Sequence, residues 1–194
     1  KDDKAHGQGR FQHVDGDVYD GGWLADKAHG SGTYYHANGS RYEGDWEDDQ
    51  QNGHGVELWA DGAKYEGQYQ NGRKHGRGWF TWPNGSQYRG EFMDNDIHGD
   101  GYYEWGDGRK YKGQWANSQM DGTGLSSWPD GRTYEGQFAK GIKDGMGTFR
   151  WPDGREYHGQ WKDGKQDGIG TSADADGTKR EVEYKKGKQI RLLG

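Results

Sequence analysis

Residues 134–156 read YEGQFAKGIKDGMGTFRWPDGRE, and this stretch decides the fold because the chain keeps repeating it. Tyr19, Tyr42, Tyr65, Tyr88, Tyr111, Tyr134 and Tyr157 follow one another at intervals of 23 residues. With each Tyr as position 0, position 2 is Gly in all seven units. Position 4 is always aromatic: Trp23, Trp46, Tyr69, Phe92, Trp115, Phe138 and Trp161. Glycine also recurs at positions 11, 13 and 20, and these four positions hold 31 of the 38 glycines. So regular a repeat specifies a stacked array, in which one unit buries its apolar face only against its neighbours.

Composition says what fills that array. Leu, Ile, Val and Phe total only 18 of 194 residues, whereas Trp, Tyr and Phe supply 28. The core must therefore be built from rings, each burying roughly 150–250 Å². The net charge is a moderate −6, and cysteine is absent, which excludes disulfides and thiolate metal sites. That absence fits a reducing, cytoplasmic setting. No apolar run approaches the roughly 18 residues of a membrane span. Lys1 falls at position 5, so the sequence opens midway through a unit, and further units upstream are expected. The predicted organisation is an array over residues 1–178, with a partial unit at 1–18 and full units from 19, 42, 65, 88, 111, 134 and 157. Residues 179–194 then read as a degenerate terminal repeat and basic cap.

Each unit holds two alternating segments, around positions 0–4 (Tyr42-Glu43-Gly44-Asp45-Trp46) and 13–17 (Gly78-Trp79-Phe80-Thr81-Trp82). Ring, charge, Gly, charge, ring is the period-2 pattern of a strand with one covered face. Turns such as Pro83-Asn84-Gly85 and Pro129-Asp130-Gly131 separate units, Pro setting φ and Gly allowing it to be positive. The other turn is expected to end at the His-Gly, Asn-Gly or Asp-Gly of positions 10 and 11. Nothing reads as a helix. The expected fold is an all-β, elongated, twisted single antiparallel sheet, a meander of β-hairpins. Its core rings are Tyr19, Trp23, Tyr42, Trp46, Trp59, Tyr65, Trp82, Tyr88, Trp105, Tyr111, Trp115, Trp128, Tyr134, Trp151, Tyr157 and Trp161. A register that sets position 4 over the Gly at 13, and position 0 opposite 17, lays these rings on glycines.

The units resemble MORN repeats (membrane occupation and recognition nexus). Tyr65-Glu66-Gly67-Gln68-Tyr69 with His75-Gly76-Arg77-Gly78 carries the resemblance, as does Tyr134-Glu135-Gly136-Gln137-Phe138 with Asp144-Gly145-Met146-Gly147. It covers residues 6 to about 184. The resemblance implies an elongated sheet of stacked hairpins and a non-catalytic scaffold of the cytoskeleton or cilium, self-associating and docking proteins along its length. It also implies an alternative: a membrane or anionic-phospholipid recruitment module, or the regulatory part of a larger protein such as a phosphoinositide kinase or junctional protein. The expected location is cytoskeletal, with cilium or membrane-proximal sites as variants.

Catalytic and cofactor chemistry finds little purchase. His6, His29, His75 and His98 share position 10, but Asn52, Asp121, Asp144 and Asp167 replace them elsewhere, which argues for a turn role and not for a metal site. The Gly-x-Gly pairs open no helix, as a phosphate loop would require. The aromatic residues are committed to packing and the chain is acidic, so nucleic acid is not expected. No enzyme activity, cofactor or metal is predicted. Two partner surfaces are. Position 14, on the face away from the rings, carries Val56, Trp79, Tyr102 and Leu125 in four consecutive units, with Leu58 adjoining, and reads as a protein-docking row for an extended peptide or helix. The ring pattern stops near Tyr184, and Ile190, Leu192 and Leu193 follow among Lys179, Arg180, Lys185, Lys186, Lys188 and Arg191; this end is the expected homodimer contact.

Overall fold

The computed structural model describes residues 3–193; residues 1, 2 and 194, at the ends of the predicted array and cap, lie outside the described residues. The described residues form seventeen strands and no helix, and the strands belong to one open antiparallel sheet. Two compact units divide the chain, Lys1–Asp96 and Ile97–Gly194. The first contains β1 (Gly7–Gln12), β2 (Val18–Leu24), β3 (Lys27–Tyr35), β4 (Arg41–Glu47), β5 (Gln50–Leu58), β6 (Lys64–Gln70), β7 (Arg73–Thr81) and β8 (Gln87–Met93). The second opens within β9 (Asp96–Glu104). It continues with β10 (Lys110–Ala116), β11 (Gln119–Ser127), β12 (Thr133–Ala139), β13 (Ile142–Arg150), β14 (Glu156–Lys162), β15 (Lys165–Ala173), β16 (Lys179–Lys185) and β17 (Lys188–Leu192).

The unit is a seven-residue strand followed by a nine-residue one, so the second strand is longer than the alternation alone indicates. It begins at position 8, and the expected turn at positions 10 and 11 is corrected: the turn occupies positions 6 and 7. Both of its residues have positive φ, as at Asp48 (49°) and Asp49 (68°) or Asn71 (50°) and Gly72 (75°). That is the two-residue hairpin geometry whose twist matches the flanking strands. His-Gly, Asn-Gly or Asp-Gly instead sits inside the second strand at a bulge. Between Gly44↔Gly55 and Trp46↔Gln51, Asp45 alone faces Asn52, Gly53 and His54, and Gly53 takes φ 65°. Position 10 still serves a turn, but a neighbouring one. Asp121 Oδ2 accepts from Lys140 N (3.2 Å) and Asp167 Oδ2 from Lys186 N (3.0 Å), each in the next hairpin's tip.

The expected register is also corrected, by two residues. Gly at position 2 faces Gly at 13 on both sides, as in Gly44↔Gly55 and Gly55↔Gly67, and Tyr at 0 faces position 15. An even shift keeps every side chain on its expected face. The physical reason is the tyrosine itself. Tyr42 bends along its own strand and its hydroxyl donates to Asp45 O at 2.9 Å, while Tyr65 does the same to Gln68 O at 2.9 Å and Tyr134 to Gln137 O at 2.9 Å. The ring then lies flat over two adjacent glycines, and a Cβ on Gly55 would run into the Tyr42 ring. Six of the seven repeat tyrosines are 0% exposed.

Rings at positions 0 and 4 interlock edge to face. In the first unit Tyr19 meets Trp23 at 5.1 Å and Trp46 at 5.2 Å; Tyr42 meets Trp46 and then Tyr69 at 5.1 Å; Tyr65 meets Tyr69 and then Phe92 at 5.1 Å. In the second, Tyr111, Phe138, Tyr134, Trp161, Tyr157 and Tyr184 continue the same alternation at 5.1–5.6 Å. Edge-to-face pairs are worth about 0.5–1.5 kcal/mol beyond the area they bury. Hairpin tips are tied as well: Asp49 N donates to Ala28 O (3.1 Å), and Asp49 Oδ1 accepts from Ala28 N (2.7 Å).

Candidate functional site

The face that carries the tyrosines has a second, outer layer. Position 15 supplies Phe11, Tyr34, Phe80, Tyr103 and Phe149, and position 17 supplies Trp59, Trp82, Trp105, Trp128 and Trp151. These tryptophans, expected in the core, are half-buried at its rim. They rest on position 15, as in Trp59–Phe80 (5.2 Å) and Phe149–Trp151 (4.6 Å). Beside three of them, Trp105, Trp128 and Trp151, the following turn lays an arginine: Arg132 is 5.5 Å from the Trp128 ring and its Nε donates to Asp130 Oδ2 at 2.8 Å. This leaves aromatic edges open to solvent along a polar rim.

At β1–β4 the layer opens into an aromatic groove of about 740 Å³, lined by Phe11, His13, Trp23, Tyr34 and Trp46, with Asp26 and Asp49 at its margin. Phe11 is half exposed. Tyr34 is fixed there by Asp17, whose Oδ2 accepts its hydroxyl at 2.8 Å and whose Oδ1 accepts Ala37 N at 2.8 Å. Burial and then that carboxylate push the Tyr34 hydroxyl up to about 12, while the Ala37 amide and the Tyr34 hydroxyl hold Asp17 below the usual carboxylate range.

Two lysines at position 9 enter the ring face from below. In the first unit Lys74 faces Tyr69, and Glu57 faces Tyr65. Lys74 Nζ lies 3.3 Å from Glu57 Oε2 and 4.8 Å from the Trp59 ring, and the Tyr69 hydroxyl donates to the same carboxylate at 2.8 Å. Burial and Glu57 raise the Tyr69 hydroxyl well above its ordinary value. In the second unit Lys143 faces Phe138, and Ser126 faces Tyr134, at the same repeat positions. Lys143 Nζ sits among Trp161 (4.3 Å), Phe149 (4.8 Å) and Tyr134 (5.4 Å). Burial, then the nearby Arg132 charge, pushes the Lys143 amine down to about 8.

A family model described as MORN repeat matches residues 1–18, 19–41, 42–64, 65–87, 88–108, 111–131, 134–154 and 157–179. The chain belongs to the MORN-repeat family. Among solved structures, the fold is similar to that of the CPAP G-box domain, with 16% identity over 97% of this chain and 99% of that one and a TM-score of 0.54. It is also similar to the TCP domain of Drosophila melanogaster SAS-4, solved with a proline-rich motif of Ana2, with 13% identity over 91% of this chain and 90% of that one and a TM-score of 0.50. No curated protein matches the chain in sequence.

On the opposite face of the MORN sheet, the predicted docking row is placed as follows. In the first unit Val56 and Trp79 both neighbour Glu66, which lies between them on β6, so a charge interrupts the apolar run. Leu58 is half-buried, facing Arg41 and Lys64. Trp79 is 37% exposed, and the Arg89 guanidinium stacks on it at 4.0 Å. In the second unit Tyr102 and Leu125 both face Lys112, and the Tyr102 hydroxyl donates to Glu104 at 3.2 Å. At the C-terminal MORN hairpin, Tyr184 meets Tyr157 edge to face at 5.2 Å and is half-buried, so it extends the ring ladder. Ile190, Leu192 and Leu193 are exposed on and beside β17.

Sequence reasoning missed positions 3, 9 and 15. Where position 3 is glutamine its amide closes the bulge, since Gln68 Oε1 accepts Arg77 N (2.7 Å) and Gln137 Oε1 accepts Met146 N (2.6 Å); at Asp45 a carboxylate does the same for His54 N (3.1 Å). A signal existed at position 15, where Glu57 and Ser126 interrupt a run of rings. No group of three or more potential metal ligands occurs among the described residues.

Proposed function

We propose that this MORN-repeat chain is a non-catalytic protein-binding scaffold of the cytoskeleton or cilium, and that it docks an extended peptide on its ring face. The observation that carries this reading is the half-buried aromatic rim at positions 15 and 17 of the ring face, of which the β1–β4 groove is one part. The groove's rings are held from behind by hydrogen bonds (Tyr34 on Asp17; Trp23 Nε1 to Gly9 O at 3.0 Å; Trp46 Nε1 to Gly32 O at 3.1 Å), so they are ordered before any partner arrives. Pre-ordered aromatic grooves suit extended proline-containing segments, which lose little entropy on docking. The acidic margin of Asp26 and Asp49 favours a peptide with flanking basic residues. The SAS-4 TCP domain, solved with a proline-rich motif, and the CPAP G-box domain, whose structural analysis suggests a role in centriole elongation, support the choice of a peptide partner and of a centriolar or ciliary setting. Self-association through the exposed edge of β17 completes the proposal, with Ile190 and Leu192 covering one another across two copies.

Two measurements test it. Proline-rich basic peptides should shift the indole fluorescence of the wild-type chain and lose at least about tenfold in affinity with Phe11→Ala and Tyr34→Ala together. Equal affinity would place the docking surface elsewhere. Light scattering of the wild type and of Ile190→Asp with Leu192→Asp should give a dimer and a monomer respectively; equal masses would remove β17 from the proposal.

A further inference from the structure

The repeat supplies its own control for each side chain, and at position 9 the control is informative. Lys74 is neutralised inside the protein by Glu57 at 3.3 Å, and Tyr69 braces that carboxylate. At Lys143 both supporting residues are replaced together: Ser126 stands at the place of Glu57, and Phe138 at the place of Tyr69. The aromatic lining is kept, with Trp161, Phe149 and Tyr134 around Nζ. Among the described residues no carboxylate lies within ion-pair distance of Lys143. The charge that acts on it is the like charge of Arg132, itself held by Asp130. Lys143 nevertheless remains partly open to solvent. A cation kept in an aromatic cage, short of its internal counter-ion and reachable from outside, complements an incoming anion. The matching place in the first unit is filled by the Glu57 carboxylate, so a carboxylate on a partner's side chain is the anion of matching chemistry.

We propose that Lys143 is the receptor for an acidic side chain of a partner polypeptide, whose carboxylate pairs with Nζ beneath Trp161 and Phe149 as Glu57 pairs with Lys74. This rests on the ring face being a peptide-docking surface, and it gives the second unit a preference distinct from that of the β1–β4 groove. The partner's Glu or Asp stands in for the missing internal residue, and the rings on both sides bury the apolar stem and its neighbours. The remainder of the array needs no such residue. Ile97 and Met120 occupy position 9 without charge, and Gln51 and Gln166 occupy it as neutral amides.

The test uses the full chain with ¹³C-labelled lysine and two blocked octapeptides, one alternating Gly with Glu and the other Gly with Gln. The Glu peptide should bind about tenfold or more tighter than the Gln peptide and move the Lys143 titration upward. Lys143→Gln, an amide the array already accepts at position 9, should abolish that preference. Ser126→Glu should abolish it too, by supplying the carboxylate internally. Equal binding of the two peptides with ring-face resonances shifted would overturn the role of Lys143 while leaving ring-face docking intact. No ring-face shift with either peptide would sink both readings. A preference that survives Lys143→Gln, or a Lys143 response to phosphatidylserine vesicles but not to the Glu peptide, would also overturn the assignment.

Discussion

Lys74 and Lys143 occupy the same repeat position on the same kind of hairpin, yet one is a finished structural element and the other is not. Around Lys74, Glu57 and Tyr69 close a polar cluster in which lysine and glutamate are only 15% and 18% exposed. Around Lys143, Ser126 and Phe138 leave the charge to rings alone. The lesson is that the ladder of rings and glycines fixes the architecture, while positions 9 and 15 are free to carry different chemistry on it. What varies between units is where function is to be sought.

The sharpest way to break the comparison is to remove what the two regions share. Tyr65→Ala and Tyr134→Ala each delete a fully buried ring that touches two neighbours, and each should cost about 3–5 kcal/mol in denaturant unfolding. A much smaller loss at either site would mean that the ladder is not the core. Next comes the difference between them. Glu57→Gln leaves Lys74 unpaired and should destabilise by about 2 kcal/mol, less than a fully buried pair because some solvent reaches it. Ser126→Ala, at the matching place in the second unit, should change stability by under about 1 kcal/mol.

Lys143→Met sharpens the contrast through pH. The folded amine titrates near 8 and the unfolded one near 10.5, so between these values the unfolded chain holds the extra proton and the wild type gains stability as pH rises. Below about pH 8 the variant should be more stable than wild type by about 1–2 kcal/mol, discounted for partial exposure, and the gap should close by pH 10.5. A gap independent of pH would show that packing, not charge, is responsible. The smallest effect is shared again. Gln68→Ala and Gln137→Ala each free one bulge amide and should cost about 1 kcal/mol apiece, equally in both regions.

Much of this architecture was legible in the residues. The 23-residue interval and the ring-Gly-ring alternation give the strands, their faces and the hairpin order. The register and the short turn were not legible. An alternation rule counts faces but not which glycines lie side by side, and that choice is made by the Tyr42 hydroxyl reaching Asp45 O. The bulge hides for a related reason, since Gly53 and Gly76 look like turn residues although their positive φ is spent inside a strand. The site was legible only as exceptions. Glu57 and Ser126 stand out at position 15, but only the folded structure shows that Lys74 meets a carboxylate and that, among the described residues, Lys143 meets none.

The Gly44↔Gly55 and Gly55↔Gly67 joints have a consequence for how such a chain changes length. Because the seam from one hairpin to the next repeats with the same Gly↔Gly pairing, removing or duplicating one whole 23-residue block rejoins surfaces that already match. Loss of a single residue within a strand would instead turn a tyrosine outward and leave two glycines bare. Length in this lineage is therefore expected to vary in steps of one block, with diversity accumulating at the few positions the seam does not use.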